Sequence, residues 1–226
     1  MTSRLRVLCL HGFTSNGQVH AHQVRRITKA LPQYDFLFPD GPHVVNVKQQ
    51  MDMDTPGNQA WSDMVNTLSS SGHRAWWFAR DGHWNDAEAG GFYGFSQGAC
   101  FAGMLCALMQ EKLSGHALRK HLPAKLSPPM AGVIFSGFRA RFPQYDGLYE
   151  PGIDMPMLHV IGKLDALVRS ERSEAFIRVC KNSDMLLHEG GHDIPKSDEH
   201  QARLIEFLKT HVRANDEQWI RAQASM

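Results

Sequence analysis

The stretch Gly91-Phe92-Tyr93-Gly94-Phe95-Ser96-Gln97-Gly98-Ala99-Cys100 reads as a short strand that ends on a serine and turns at once into a helix. Gly91 to Phe95 is rich in strand-favouring aromatics, and Ala99 to Lys112 has the small, apolar composition of a buried helix. Between them, Gly94-Phe95-Ser96-Gln97-Gly98 matches GxSxG. The glycines leave room for a sharp turn that exposes the serine oxygen at a helix N-terminus. A serine hydroxyl is a weak nucleophile until it is lifted clear of the sheet, given a base and supplied with donors for the developing oxyanion. The turn answers the first need, so Ser96 is the candidate nucleophile.

The segments on either side of this turn repeat one pattern. Leu5 to Leu10 is a first strand, about Gly17 to Leu31 an amphipathic helix stopped by Pro32, and Tyr34 to Phe38 a second strand. Further along, Gly132 to Ser136, Met157 to Ile161 and Met185 to His188 are strands, and Ser170 to Lys181 and Ser197 to Val212 are helices. Strands alternating with helices predict a mainly parallel sheet covered on both faces, an α/β fold. The connection from Phe142 to Pro156, with its prolines and glycines, is expected to be exposed. The polar segment from Pro39 to about His73 shows no sustained period. Residues 40–90 are therefore expected to form a long loop or lid within a single domain spanning 1–226.

At 226 residues the chain is long enough for one core with a pocket beside it. A net charge of +1, with no dense run of Lys and Arg, gives no pointer to nucleic acid or to an anionic membrane. The apolar runs are too short to span a bilayer, and no hydrophobic leader is evident. Cys9, Cys100, Cys106 and Cys180 share no CxxC spacing, and the expected compartment is the reducing cytoplasm.

In this kind of fold the chain order of the catalytic groups is Ser, then acid, then His. His192, in Gly190-Gly191-His192-Asp193-Ile194-Pro195, follows a strand on a glycine turn ahead of the last helix, where a loop-borne imidazole belongs. His188, His200 and His211 are alternatives, the last two falling on the closing helix. Asp165, just past the Met157 to Ile161 strand, is the candidate acid, whose task is to hold the imidazole tautomer and stabilise the imidazolium. Asp184 and Asp193 suit capping or surface roles better. The backbone N–H of Gln97 and that of Phe13, after Gly12, are the candidate oxyanion donors. His11 is expected to be a buried residue bonding loop backbone.

His188-Glu189-Gly190-Gly191-His192 also matches HExxH letter for letter. That zinc chemistry needs both imidazoles on one helical face. Two consecutive glycines after an apolar strand, with Pro195 close behind, argue against such a helix. His20 and His22 are expected to be exposed helix residues. No motif calls for a metal or a cofactor.

With these residues in hand, the chain resembles the fungal family of serine hydrolases, the FSH group of the α/β-hydrolases. The resemblance is carried by Leu8-Cys9-Leu10-His11-Gly12-Phe13 with Asn16, Phe38 to His43, Arg74-Ala75-Trp76-Trp77, Gly94 to Ala99, Ser136-Gly137-Phe138, Gly162 to Val168 and Gly191 to Pro195. It implies Ser96, Asp165 and His192 as triad positions. It also implies activity on acyl esters, or release of polyketides from carrier proteins, as in lovastatin biosynthesis. One departure is expected to matter: the family's helix ahead of the nucleophile strand is replaced here by Ala79 to Gly90, too short for a full helix.

The expected function is an acyl ester or thioester hydrolase working through a Ser96 acyl-enzyme. The particular expectation is a fungal secondary-metabolite thioesterase with an acyl carrier protein as partner. The alternatives are a general carboxylesterase and a non-catalytic binding protein on the same fold. Trp76, Trp77 and Phe138 are candidate substrate contacts, and Met51, Met53, Trp61 and Met64 can line an acyl-accepting groove.

Overall fold

The structure is a computed structural model that describes residues 5–78, 95–123, 126 and 128–214. Seven strands and seven α-helices are defined among these residues. The first strand, β1 (Arg6–Leu8), pairs in parallel with β2 (Asp35–Leu37) through Val7 and Phe36. The helical segment expected between them divides into α1 (Gly17–Gln23) and α2 (Arg25–Ala30), which meet at Val24. Asn16 starts α1 by accepting from the Val19 N–H at 2.9 Å, satisfying one of the donors that a helix end leaves open.

A three-stranded parallel sheet forms the other half: β5 (Gly132–Phe135), β6 (Ile153–Gly162) and β7 (Cys180–His188), in that order. Phe95 joins the halves. Its N–H donates to Leu10 O at 3.0 Å, it forms a parallel bridge with Phe135, and the Ser96 N–H donates to Phe135 O at 2.9 Å. The serine therefore stands at the middle of the assembled sheet, between its first strand and β5.

Each face of the sheet is covered. On one face packs α5 (Gln97–Leu108), which is buried at every position, as its run of Ala, Gly, Cys, Phe, Met and Leu requires. It meets Leu10, Ile134, Met157 and, from α6 (Ser170–Ile177), Phe176. On the other face α7 (Asp198–Ala214) buries Leu204, Phe207 and Leu208 against Val7, Val133, Leu158 and Val160. Burial of one such side chain is worth about 1.5–3 kcal/mol. All four cysteines are free and buried.

Two expectations are corrected. The polar segment read as loop holds a short antiparallel strand pair, β3 (His43–Val44) with β4 (Arg74–Ala75), and between them two helices, α3 (Val47–Gln50) and α4 (Pro56–Leu68). Helix α4 has Pro56 at its first turn, but only Ser62 and Val65 are buried on it. It covers a cavity rather than the core; Trp61, Met64, Val65 and Leu68 keep helical spacing along it, but the polar, turn-prone residues around them mask the pattern. The Phe142 to Pro156 connection is only partly exposed: Pro143, Gln144, Asp146, Glu150 and Asp154 face outward, but Phe142, Tyr145, Leu148, Tyr149 and Ile153 are buried. A 3-10 turn at Pro143–Leu148 folds these side chains inward. The shortened segment Ala79 to Gly90, and Gly91 to Gly94 of the expected nucleophile strand, lie outside the described residues.

Candidate active site

Ser96 follows directly on Phe95 and precedes the first residue of α5, with φ 53° and ψ −110°. This region is costly for any residue with a Cβ, so the surrounding contacts must hold it there. One such contact is at Gly98, where a Cβ would lie 2.6 Å from both Leu10 O and His11 O. Only glycine lets the start of α5 approach the loop after β1 so closely.

His192 and Asp165 come from two loops that follow β7 and β6. The loops are drawn together at Gly162, where a Cβ would stand 2.1 Å from Gly191 O. His192 Nδ1 lies 2.8 Å from Asp165 Oδ2. The second carboxylate oxygen of Asp165 accepts from the backbone N–H groups of Leu167 (3.0 Å) and Val168 (2.8 Å). Burial alone would raise the Asp165 pKa. The Val168 N–H, the His192 ring and the Ser136 hydroxyl outweigh it and hold the carboxyl below its ordinary value. An ionised Asp165 accepts from Nδ1–H, which leaves Nε2 of His192 as the basic nitrogen. The ring rests on Phe95, centroids 4.7 Å apart, directly beside the serine.

Ser96 and His192 line one cavity of about 700 Å³. Phe13, Gln97, Trp77 and Phe138 line it too, as do Met51 and Trp61 from the α3–α4 cover. The Phe13 N–H has no acceptor among the described residues. The Gln97 N–H, at the first position of α5, is one of the donors that a helix leaves unbonded.

Trp76, expected to touch substrate, does not line the cavity. It is 6% exposed, packs on Phe101, and donates from Nε1 to His11 O at 2.8 Å. Its indole is core material with one polar edge, whereas its neighbour Trp77 turns outward into the pocket. Met53 and Met64 are likewise absent from the cavity wall. His11 is buried as expected: Nδ1 is 2.7 Å from Gly12 O, Nε2 accepts from the Gly41 N–H at 2.8 Å, and burial lowers its pKa to about 4. His20 departs from expectation. It is buried, near Gln23 and Phe38, while His22 is exposed.

His188 ends β7 and His192 lies in the turn after it, so the HExxH letters do not form a helix. His188 is buried and its Nδ1 accepts from the Gly190 N–H at 3.2 Å. Asp184 bonds Arg203 on the surface, and Asp193 is exposed.

Three contributions escaped the sequence reading. The Gln97 side chain fastens the Trp76-Trp77 backbone, accepting from Trp76 N–H at 2.9 Å and donating to Trp77 O at 2.8 Å. Thr14, at φ 61°, accepts from the Trp61 indole through both its O (3.2 Å) and its Oγ1 (3.1 Å). Phe142, Tyr145, Arg141 and Arg172 complete the cavity wall. The pair Phe142 and Tyr145, three residues apart at the start of the Pro143–Leu148 turn, was a signal for the third.

A strained serine at a strand-to-helix turn, with a carboxylate-held imidazole in the same cavity, defines the α/β-hydrolase class. Comparison with known proteins narrows it. The profile of the serine hydrolase (FSH1) family matches residues 1–89 and 83–204, the two segments meeting in the shortened stretch. The chain belongs to this family. It is 29% identical over 224 residues to the Drosophila melanogaster esterase CG5412, covering 94% of this chain and 76% of that protein. It is also 29% identical to the Danio rerio esterase OVCA2, over 91% of this chain and 96% of that one. The crystal structure of esterase PE8 shares the fold, with a TM-score of 0.55 and 20% identity over 92% of this chain and 93% of that one. The protein is an ester hydrolase. Among the described residues, no helix is long and apolar enough to cross a membrane.

Proposed function

We propose that Ser96, His192 and Asp165 are the catalytic triad of this hydrolase. The reading is carried by the 2.8 Å contact of buried Asp165 Oδ2 with Nδ1 of His192, whose ring lines the cavity that also holds the strained Ser96. Ser96 Oγ attacks the ester carbonyl carbon and its proton passes to His192 Nε2. The carbonyl oxygen takes the negative charge and is met by the N–H groups of Phe13 and Gln97. The tetrahedral intermediate collapses, the C–O or C–S bond to the leaving group breaks, and His192 returns the proton to it. Water, deprotonated by His192, then attacks the acyl-enzyme, and Ser96 Oγ departs with that proton.

The substrate is an acyl ester or thioester with a sizeable apolar portion. Supporting this are the cavity's volume and its Met104, Phe138, Phe142 and Trp77 walls. Trp77 and Phe138 are contacts for the acyl chain, and within one domain the described part of the lid segment, residues 40–78, forms the cover through Met51, Asn58 and Trp61. Four free, buried thiols suit a reducing cytoplasm. The finer reading is a fungal thioesterase releasing a polyketide from an acyl carrier protein. It rests on the motif resemblance and on a pocket roomier than a short acyl ester needs.

Fluorophosphonate labelling tests the triad. The expected result is one label on Ser96, lost in Ser96→Ala and indifferent to chelators. Folded wild-type protein that takes no label would instead support a binding protein on this fold. Release of product from a loaded carrier protein, compared with turnover of short free esters, tests the finer reading.

A further inference from the structure

His188, the first letter of the HExxH match, ends β7 and is followed by Glu189, Gly190, Gly191 and then His192. Two successive glycines are the least restrained backbone a chain can offer, and the residue they lead to is His192. Their backbone is tied down from several sides. Gly190 O accepts from the Leu164 N–H at 3.0 Å, and Gly191 O from the Asp193 N–H at 2.9 Å. The Gly190 N–H donates to Nδ1 of the His188 ring, 3.2 Å away. A Cβ on Gly190 would stand 3.0 Å from that Nδ1 and 2.9 Å from Asp193 Oδ1, so the turn is folded closely over the imidazole.

His188 does not reach the substrate. Its side chain is 4% exposed and stands outside the wall of the cavity that Ser96 and His192 line. For Nδ1 to accept, the neutral ring carries its proton on Nε2, which finds no partner among the described residues. Protonation reverses the arrangement. Nδ1 turns from acceptor to donor and gives up the Gly190 N–H, with the Asp193 carboxylate 3.7 Å away to pair with. Asp193 is the next residue after His192, so that pairing pulls on the same turn. The other charged or titratable groups around the ring are Glu189, which bonds Lys163, Asp165 from the loop after β6, and His200 on α7, whose ring centre is 6.2 Å away. Burial lowers the His188 pKa and His200 adds to the effect, against the pull of Asp193, Asp165 and Glu189.

Resting on the triad reading, we propose that neutral His188 is a positioning residue: its Nδ1 pins the Gly190-Gly191 turn that holds His192 in place, and a proton on His188 releases that turn to Asp193. Hydrolysis then falls in acid for two reasons, protonation of the base itself and loosening of the turn that presents it.

Variants at His188, assayed with a chromogenic ester on protein shown to be folded by circular dichroism, test this. Leu offers no acceptor, whereas Asn sets its Oδ1 where the imidazole has Nδ1 and does not titrate. His188→Leu is expected to lower kcat about a hundredfold with little change in KM, the size of a misplacement of about 1 Å in a reacting group. His188→Asn should recover about tenfold of that loss. In the wild type, log kcat/KM should fall in acid with a limiting slope above one, since both histidines take a proton; in His188→Asn the slope should be one. Recovery of activity on return to neutral pH excludes acid unfolding. Asp193→Asn removes the carboxylate that favours the charged ring, so it should shift the acid limb to lower pH more in the wild type than in His188→Asn. Equal kcat in wild type and His188→Leu overturns the proposal, as does an equal loss in the Leu and Asn variants or an acid slope that His188→Asn leaves unmoved. If His188→Leu does not fold, the wild-type and His188→Asn profiles decide. His192→Ala separates the two readings. Activity retained in His192→Ala removes the triad reading; an inactive His192→Ala beside His188 variants that match the wild type removes the positioning role alone.

Discussion

His192 Nδ1 stands 2.8 Å from Asp165 Oδ2, although 27 residues separate them and they sit on loops after two different strands. The side chain of Asp165 is 1% exposed and that of His192 16%, so a buried carboxylate orients a partly open ring. Replacing Asp165 with Asn keeps the shape of the group but favours the wrong tautomer of His192. The expected loss in kcat is about four orders of magnitude. Burst kinetics with a chromogenic ester, alongside a circular-dichroism melt, would check that the loss is in chemistry and not in folding.

Ser96 is held at φ 53° and ψ −110°, a conformation that glycine adopts without strain. Ser96→Gly is therefore expected to abolish hydrolysis yet raise stability by about 1 kcal/mol or more. Urea unfolding of the variant and wild type reports the difference. A variant less stable than wild type would show that the turn is not strained.

The adjacent tryptophans should behave in opposite ways. Trp76→Phe removes an indole donor from His11 O in the core and is expected to cost about 1–3 kcal/mol of stability, with little change in substrate ranking. Trp77→Ala opens the cavity wall and should change KM and chain-length preference more than it changes the melting temperature. Parallel melts and ester series on the two variants would reveal whether the roles are reversed.

Three buried imidazoles make stability depend on pH. Burial lowers the pKa of His11, His20 and His159 from the ordinary 6.5 to about 4. The folded state keeps these rings neutral while the unfolded chain protonates them. Their contribution is intact above pH 6.5 and is lost as pH falls toward 4. Each ring can remove about 1.4 kcal/mol per pH unit.

His159 offers the sharpest check. Neither ring nitrogen has a hydrogen-bond partner among the described residues, and the ring packs edge-on to Phe176 with centroids 5.2 Å apart. His159→Leu is expected to raise stability at neutral pH by about 1–3 kcal/mol. It should also make the decline below pH 6.5 shallower. Urea midpoints measured at several pH values give both quantities. A destabilised variant with an unchanged slope would mean that the ring is satisfied in solution.

The alternation of strand and helix was legible because each element carries its own period, and the order of Ser96, Asp165 and His192 because the chemistry demands those residue types after strands. Helix α4 went unread although Trp61, Met64, Val65 and Leu68 stand at helical spacing, because the polar, turn-prone residues before and between them resemble a loop. The buried side of the Phe142 to Pro156 connection was missed because proline and glycine signal a turn without telling which way its side chains point. Adjacent letters were equally silent on Trp76 and Trp77, one in the core and one in the pocket. The sequence by itself determined the class of fold, the family and the residue types available for catalysis. The tertiary structure alone decided that His192 meets Asp165, that Gly98 brings the Gly12–Phe13 loop onto the serine turn, and that Arg141 and Arg172 share a wall with Ser96. Such pairings depend on how separate loops converge in space, and local residue patterns do not encode distances between segments far apart in the chain.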